Sequence, residues 1–289
     1  MIAIDTRTKL VGLLGYPLGH SFSPAMQNAA FEKAGLNFLY LPIEVVQEGL
    51  GDVIEGIRRM NFAGFNVTIP YKIKVMEYMD ELDDLAKLIG AVNTAVITEG
   101  RTKGYNTDGE GFVRSLEEKT GLLVKSRRVL VLGSGGGARA ITMTLAARGA
   151  EHIYICNRTS EKAEGLCKDI NTGVRECAEA LPMETGVMAE VLKEIDILVN
   201  ATSIGMYPNK KQIPLDLEPL KGDTVVCDIV YNPPRTEFLD KATKKGCTTV
   251  NGLGMLAYQG AEAFTLWTGL EAPVEEMLKA LSQKISIIG

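Results

Sequence analysis

The stretch RRVLVLGSGGGARA, residues 127–140, decides the fold of the second half of the chain. Its first half is an apolar run of the kind found in strands that are buried on both faces. A glycine cluster follows, and AITMTLAARGA (140–150) has the composition of a helix. HIYICNRT (152–159) then supplies the next apolar run. This order predicts a βαβ unit with two parallel strands and a right-handed crossover.

The glycines of this stretch have the spacing of a dinucleotide-binding loop. Gly133, Gly135 and Ala138 fit the pattern G-x-G-x-x-A. Glycine allows the tight turn and the close approach of backbone to a pyrophosphate, which rests on the N–H groups of the following helix. Glycine clusters also form ordinary loops, but the flanking strands and helix favour a nucleotide site here. The predicted cofactor contacts of this loop are Gly133, Ser134, Gly135, Gly136, Gly137 and Ala138.

The residues after the second strand favour NADP over NAD. An acidic residue at this place would bind the ribose 2′-hydroxyl of NAD and repel a phosphate. The chain instead has Asn157, Arg158 and Thr159, with Lys162 one turn later. A guanidinium pairs well with a 2′-phosphate through charge-assisted hydrogen bonds. The alternative is a plain helix start, with Thr159 or Ser160 as N-cap and an exposed arginine.

Short apolar runs alternate with amphipathic segments over most of the 289 residues, which predicts an α/β protein with parallel sheets. The length favours two domains. We expect a first domain over residues 1–109, a dinucleotide-binding domain over 110–252, and C-terminal helices over 253–289 that pack back on the first domain. In the first domain, strands are expected at 9–15, 38–45 and 91–97, and helices at 23–35, with Pro24 in the first turn, 50–60 and 74–89.

Charge and cysteine usage exclude several classes of function. A net charge of −5 without a dense Lys/Arg block argues against nucleic-acid binding, so a small molecule is the expected partner. The charged start MIAIDTRTKL and the absence of long apolar runs argue against a signal peptide and a membrane span. No ligand-spaced cluster suggests a metal. Free thiols in a reducing cytoplasm are expected for the five cysteines, which are Cys156, Cys167, Cys177, Cys227 and Cys247.

Polar clusters in the first domain are candidates for a substrate site. Hydroxyls at Ser21 and Ser23 are placed to bind a carboxylate at a helix N-terminus, although a helix cap is the simpler explanation for Ser23. Asn66 and Thr68, two residues apart in NVTIPYK (66–72), would face one pocket on an extended segment. The other clusters are Asn93–Thr94 and Asn106–Thr107–Asp108.

In this order, and followed by a dinucleotide-binding domain, these clusters resemble the shikimate dehydrogenase family. The resemblance covers nearly the whole chain. The matching segments are GYPLGHSFSPAMQNAAF, GFNVTIPYK, GAVNT, YNTDGEGF, GSGGGARA, NRT, NATSIGM, DIVYNPPRTEFL and NGLGMLAYQGAEAF.

The resemblance implies a reversible NADP-dependent reduction of 3-dehydroshikimate to shikimate, in aromatic amino acid biosynthesis, with a substrate domain and a Rossmann-like domain. It makes Lys72 and Asp108 the catalytic pair. The implied substrate contacts are Ser21 and Ser23 at the carboxylate with Tyr231 nearby, Thr68, Asn93 and Gln259 at the ring hydroxyls, and Asn66 in support of the pocket. The further implied cofactor contacts are Thr202, Ser203, Gly205, Met206, Ile229, Gly252 and Met255.

The chemistry of the reaction agrees with a lysine as proton donor. Hydride delivery to a ketone leaves an alkoxide, and a lysine can both protonate it and stabilise it by its charge. The rival acid, histidine, occurs only at His20 and His152. We interpret His152 as a strand-edge residue and His20 as a residue that shapes its loop.

Two alternatives remain open. A quinate/shikimate dehydrogenase of dual specificity, or one that uses NAD, is the nearer one, although serines at both 21 and 23 look more like the shikimate-specific pattern. A non-catalytic dinucleotide-binding protein is the other, and the presence of both Lys72 and Asp108 argues against it. The sequence leaves monomer and homodimer equally open.

Overall fold

The computed structural model describes residues 4–19 and 21–288. Contacts divide the chain into two compact units: residues up to 107 together with those from 257 onward, and residues 108–256. The sequence predicted that the substrate domain ends at residue 109 and that the cofactor domain ends at residue 252. That functional division stays a prediction.

The N-terminal unit is built on a mixed sheet. Its elements are β1 (Lys9–Gly15), α1 (Ser23–Lys33), β2 (Phe38–Glu44), α2 (Leu50–Arg59), β3 (Phe62–Val67), β4 (Glu81–Leu82), α3 (Asp84–Ile89), β5 (Thr94–Thr98) and β6 (Arg101–Tyr105). The strand order is β2-β1-β3-β5-β6-β4. β1 is parallel to β2 and β3, but β5 is antiparallel to β3 and β6. The parallel pairing expected from the sequence is therefore confirmed for β1, β2 and β3 and wrong for β5, which pairs antiparallel with both of its neighbours. Glu99 and Gly100, both at positive φ, make the tight hairpin that reverses the chain.

The prediction of a single helix over residues 74–89 was also wrong. A 3-10 helix occupies Lys74–Tyr78, and β4 and α3 follow. Asp80 interrupts the helix because its carboxylate accepts the backbone N–H of Thr102 at 2.7 Å and pairs with Arg58 at 2.9 Å. Asp83 then caps α3 by accepting the Leu85 N–H at 3.0 Å. Aspartates that bind backbone in this way favour turns and caps over helix interiors.

The second unit is a doubly wound parallel sheet. Its elements are α4 (Asp108–Thr120), β7 (Arg128–Leu132), α5 (Gly136–Ala147), β8 (His152–Cys156), α6 (Ser160–Gly173), β9 (Ala178–Leu181), α7 (Thr185–Leu192), β10 (Ile197–Asn200), β11 (Val225–Asp228), α8 (Glu237–Lys244) and β12 (Thr248–Val250). The strands lie in the order β9-β8-β7-β10-β11-β12. Counted along the chain this is the order 3-2-1-4-5-6, so the predicted Rossmann-like fold is confirmed. The order reverses between β7 and β10, which is where such folds bind ligands.

Two helices complete the chain, α9 (Gly252–Thr268) and α10 (Val274–Ile288). α10 packs against α1, and the Trp267 indole of α9 donates to the Ala95 carbonyl at 3.0 Å. Gly64 of β3 permits this contact, because a Cβ there would lie 2.5 Å from Trp267 Nε1. The prediction that the C-terminal helices return to the first unit is confirmed. Within the described ranges, no helix combines the length and hydropathy needed to cross a membrane.

Candidate active site

The loop after β1 brings Ser21 and Ser23 to the start of α1. Leu18 anchors this loop by donating its N–H to Glu44 at 2.7 Å, and the Ser21 N–H donates to the Leu18 carbonyl at 2.8 Å. Pro24 lies in the first helical turn, as predicted. The capping role of Ser23 was wrong: the N-cap position is Phe22, and the Ser21 hydroxyl accepts the Ser23 N–H at 3.3 Å. Both serines are half-buried, while His20 falls outside the described residues.

Asn66 joins three strands through its buried side chain. Its Oδ1 accepts the Tyr40 hydroxyl of β2 at 2.7 Å, and its Nδ2 donates to the Asn93 carbonyl at 3.1 Å and to Thr94 Oγ1 at 2.9 Å. Both amide hydrogens are thus used within the protein. Burial raises the pKa of Tyr40, which keeps its hydroxyl protonated as the donor. Sequence reasoning missed Tyr40, whose only signal is a phenol inside an apolar strand.

Asn93 fixes the segment that leads to Asp108. Its Oδ1 accepts the Thr107 N–H at 2.8 Å, and its Nδ2 donates to Thr107 Oγ1 at 3.0 Å. Asn106 donates to the Ala91 carbonyl at 3.0 Å. Asp108 follows immediately as the buried first residue of α4. The polar pairs noted in the sequence therefore bind each other, and they hold the backbone directly before the carboxylate.

Lys72 lies in a loop that is held from several sides. Thr68, one residue past the end of β3, donates its N–H to the Leu14 carbonyl at 2.9 Å, and its carbonyl accepts the Tyr71 N–H at 2.9 Å. The Lys72 carbonyl accepts the N–H of Val92, the residue before Asn93, at 2.8 Å. Lys72 is half-buried, unlike the exposed Lys74 two residues later.

Gln259 occupies α9 where this helix packs closely on α1. The buried Gln27 of α1 donates to the Gly260 carbonyl at 2.9 Å. A Cβ at Gly260 would lie 2.3 Å from the terminal methyl group of Met26, so glycine is needed for the contact. Gln259 is half-buried. Next to Gln259, α9 therefore contacts α1 one helical turn after Ser23.

In the second unit, the glycine loop forms an open helix N-terminus. Gly133 follows β7 at φ +110°, and a Cβ there would lie 2.9 Å from the Ala201 carbonyl oxygen, so the turn requires glycine. Gly135 is the N-cap of the 12-residue α5 and supplies no capping side chain. Added Cβ atoms at Gly135 and Gly136 meet nothing within 4 Å. These N–H groups are accessible to a ligand, which fits the pyrophosphate of a dinucleotide. Ser134 and Gly137 are half-buried and Ala138 is buried.

The end of β8 presents two cations. Arg158 and Lys162 are exposed, and among the described residues neither takes part in an ion pair. Asn157 donates its side-chain amide to the Thr159 carbonyl at 3.0 Å. Thr159 occupies the N-cap position of α6, but its hydroxyl makes no capping bond. Thr159 therefore does not cap α6 through a side-chain hydrogen bond, as the alternative explanation would require. The two exposed cations are suited to binding a phosphate.

The remaining predicted cofactor contacts follow β10 and β11. Thr202, Ile229 and Met255 are half-buried, Ser203 and Met206 are exposed, and Gly205 has a φ of +91°. A Cβ at Gly252 would lie 2.2 Å from the Ile229 carbonyl oxygen, so the start of α9 abuts the chain after β11. Tyr231 is half-buried, and burial raises its pKa. In the part of the chain that the structure describes, no group of three or more His, Cys, Asp or Glu side chains is arranged to hold a metal.

Three family models match the chain in order. They are the shikimate dehydrogenase substrate binding domain at residues 13–95, the shikimate / quinate 5-dehydrogenase at 115–231, and the shikimate 5′-dehydrogenase C-terminal domain at 252–281. The shikimate dehydrogenase (NADP(+)) of Methanopyrus kandleri is 47% identical over 285 residues, which is 98% of both chains. The chain belongs to the shikimate dehydrogenase family. The resemblance stated from the sequence is thus confirmed.

Solved structures of the family have the same fold. A shikimate dehydrogenase in complex with NADP+ gives a TM-score of 0.89 at 46% identity, with 98% of both chains covered. The Listeria monocytogenes enzyme, in complex with shikimate and NAD, gives 0.92 at 39% identity over 96% of this chain and 98% of that one.

Similar proteins with other names share this fold. A quinate dehydrogenase of Corynebacterium glutamicum in complex with NAD gives 0.89 at 33% identity, covering 96% of this chain and 99% of that one. A 5-ketofructose reductase of Gluconobacter also gives 0.89, at 38% identity over 97% and 100% of the two chains. The fold therefore accommodates several substrates, and the substrate must be argued from the side chains.

Proposed function

We propose that this protein catalyses the reversible, NADPH-dependent reduction of 3-dehydroshikimate to shikimate, a step of aromatic amino acid biosynthesis. One chain of contacts carries the proposal. Lys72 is bound through its carbonyl to Val92, the neighbour of Asn93, and Asn93 binds Thr107, the residue before Asp108. The backbone of Lys72 and the residue before Asp108 are therefore both hydrogen-bonded to one short segment, residues 92 and 93, which supports a shared role for the Lys72 and Asp108 side chains. Membership of the family over nearly the whole chain supports the same reaction.

In the proposed mechanism, a nicotinamide cofactor held at the glycine loop and Arg158 would supply the hydride for the reduction of the substrate carbonyl. Lys72 donates a proton to the carbonyl oxygen as negative charge develops there, so the product is an alcohol. Asp108 accepts a hydrogen bond from the reacting hydroxyl group. In the reverse direction Lys72 takes the proton back. The hydroxyls of Ser21 and Ser23 bind the substrate carboxylate, and Thr68, Asn93 and Gln259 bind the ring hydroxyls.

NADP is the proposed cofactor because of the cations after β8. Arg158 and Lys162 are exposed, and no described side chain neutralises them. A 2′-phosphate would provide the missing partner through charge-assisted hydrogen bonds. The open N-terminus of α5 is proposed to bind the pyrophosphate.

A dual quinate/shikimate dehydrogenase is the second candidate. The family model over residues 115–231 is named for both substrates, and the quinate dehydrogenase of Corynebacterium glutamicum is 33% identical to this chain. Serine hydroxyls at both 21 and 23 support shikimate as the preferred substrate. A protein that only binds a dinucleotide is the remote alternative.

An assay of the purified protein with four substrate and cofactor combinations tests the proposal. Shikimate or quinate is supplied with NADP+ or NAD+, and cofactor reduction is followed by absorbance. We expect shikimate with NADP+ to give the highest kcat/KM. A higher kcat/KM with quinate would favour the second candidate. Absence of turnover in all four combinations, with NADPH binding intact, would favour the non-catalytic one.

The setting of the enzyme is part of the proposal. All five cysteines are buried free thiols, which supports a reducing compartment, and we propose the cytoplasm. A monomer or a homodimer is proposed as the assembly.

A further inference from the structure

A buried hydrogen-bond network lies at the carboxyl ends of β10 and β11. Asn200 and Asp228, the last residues of these strands, are 0% and 1% exposed. Asn200 Nδ2 donates to Asp228 Oδ1 at 3.0 Å. Thr236, which is also buried, donates its hydroxyl to Asp228 Oδ2 at 2.7 Å. Both oxygens of the carboxylate are therefore bound.

Asn200 also shapes the loop after β10. Its Oδ1 accepts the backbone N–H of Thr202 at 3.1 Å and the Thr202 hydroxyl at 2.7 Å. Its Nδ2 donates to the Ile204 carbonyl at 3.1 Å, and the Ile204 N–H returns to Thr202 Oγ1 at 3.1 Å. The loop 201–206, which carries several of the proposed cofactor contacts, is thus folded around this one amide.

Asp228 and Thr236 hold the neighbouring segment. Asp228 Oδ1 accepts the N–H of Val230, the residue between Ile229 and Tyr231, at 3.0 Å. Thr236 is the N-cap of α8, and its hydroxyl accepts the Leu239 N–H at 3.3 Å. A Cβ at Gly205 would lie 3.6 Å from the Thr236 Cβ, so the loop after β10 rests on the same threonine.

An ionised carboxylate at this buried position loses its hydration, which is unfavourable for folding. Burial raises the pKa of Asp228 to about 6, although hydrogen bonds from Thr236, Val230 and Asn200 oppose the shift. These partners are all neutral, so none of them compensates with a positive charge for the loss of water around the carboxylate. An apolar side chain of similar size would fill the space without this loss of hydration free energy. What the network adds is a fixed geometry for two loops that both carry proposed cofactor contacts.

On the basis of the proposed function, we infer that Asn200, Asp228 and Thr236 are positioning residues that hold loops 201–206 and 229–231 in the shape that binds the nicotinamide cofactor. They act through these loops, and none of them is proposed to touch the cofactor. The inference makes cofactor affinity depend on a threonine at the start of α8, a helix with no proposed cofactor contact of its own.

The test compares Thr236→Val with Thr236→Ser. Valine keeps the shape but removes the hydroxyl that binds Asp228, whereas serine retains it. We expect the valine variant to raise the Kd for NADPH, measured by fluorescence titration, about five- to tenfold. The Kd for shikimate should change far less, since of its proposed contacts Tyr231 alone lies on these two loops, and the serine variant should bind NADPH like the wild type. An unchanged NADPH Kd in the folded valine variant would overturn the inference.

A control separates this effect from the loss of a helix cap. Asp83→Ala removes the N-cap of α3 in the other unit and should lower thermal stability to a similar degree, with NADPH affinity retained. If Thr236→Val does not fold, Asp228→Asn keeps the shape and should raise the NADPH Kd about two- to fivefold. An unchanged Kd there would also overturn the inference. Wild-type protein that binds NADPH but turns over no shikimate would contradict the proposed function alone.

Discussion

Gly109 lies against Thr144, so that a Cβ at Gly109 would be 2.0 Å from Thr144 Oγ1 and 2.5 Å from the Ala140 carbonyl oxygen. Gly109 is the second residue of α4, and it comes directly after Asp108. The first turn of α4 therefore approaches α5 through backbone alone. The position of Asp108 depends on this close approach.

Gly109→Ala is expected to displace the first turn of α4. The added methyl group would meet backbone and the β-carbon region of Thr144, neither of which can swing away easily. We expect a loss of about 1–3 kcal/mol in the free energy of unfolding, as for other overpacked sites. The kcat for shikimate oxidation should fall at least about tenfold, because a proton-transfer partner is misplaced. Urea unfolding and steady-state kinetics measure the two effects.

Gly165→Ala is the matched control. Gly165 lies inside α6, and a Cβ there meets nothing within 4 Å. Alanine should stabilise the protein by about 0.5–1 kcal/mol without changing kcat, since glycine is the poorer helix former. Wild-type kcat in Gly109→Ala would contradict the importance of the close approach.

Lys72→Ala is expected to reduce kcat by at least about a hundredfold, because proton-transfer groups contribute about 10²- to 10⁴-fold. The KM for shikimate should change far less. Lys74→Ala is the control, because Lys74 is exposed and pairs with Glu77 on the surface of its 3-10 helix at 2.5 Å. Wild-type-like turnover in Lys72→Ala would remove this lysine from the mechanism.

Arg158→Ala is expected to raise the KM for NADPH about tenfold or more, and the KM for NADH much less, because only NADPH carries the 2′-phosphate. Lys168→Ala removes an exposed charge further along α6 and should leave both values unchanged. An equal increase for both cofactors in Arg158→Ala would contradict the assignment of the phosphate site.

The Rossmann-like unit was predictable because its signals are local. A strand, the glycines from residue 133 onward and a helix are contiguous in sequence, and the turn at Gly133 has a φ of +110°, which glycine adopts most easily. The short strands β4 and β9 were missed because they have two and four residues and pair with strands far along the chain. β6 was missed although it pairs with β5 through the hairpin at Glu99 and Gly100, which offers only a two-residue turn as a signal. The helix expected over 74–89 failed where Asp80 found partners on β6.

The candidate site was predictable as residue types but not as contacts. Asn66 and Thr68 were expected to share a face, yet β3 ends at Val67 and the Asn66 amide is bound to Asn93 and Thr94. Its partner Tyr40 comes 26 residues earlier, and no sequence pattern pairs the two. Asp228 did carry a signal, since an acidic residue inside the apolar run TVVCDIVY is unusual in a buried strand.

The raised pKa of Asp228 predicts a specific pH dependence of stability. Its folded pKa is about 6, compared with an ordinary value of 3.8. The folded state therefore keeps a proton that the unfolded chain has lost, and the resulting stabilisation is full below pH 4 and disappears as the pH rises through 6. The groups that bind Asp228 are neutral, namely the Asn200 amide, the Thr236 hydroxyl and the Val230 N–H. The neighbouring Cys227 thiol also stays uncharged, because burial raises its pKa.

Asp228→Asn removes this titration, so the measurement compares the urea unfolding of the variant and the wild type at pH 5 and pH 7. Between these values the wild type should lose about 1 kcal/mol more of its free energy of unfolding than the variant does. Comparing the two changes cancels the titration of every other group, and it also cancels any constant cost of the substitution. Parallel pH dependence in both proteins would show that the carboxyl group of Asp228 has the same pKa in the folded and unfolded states. That result would contradict the prediction.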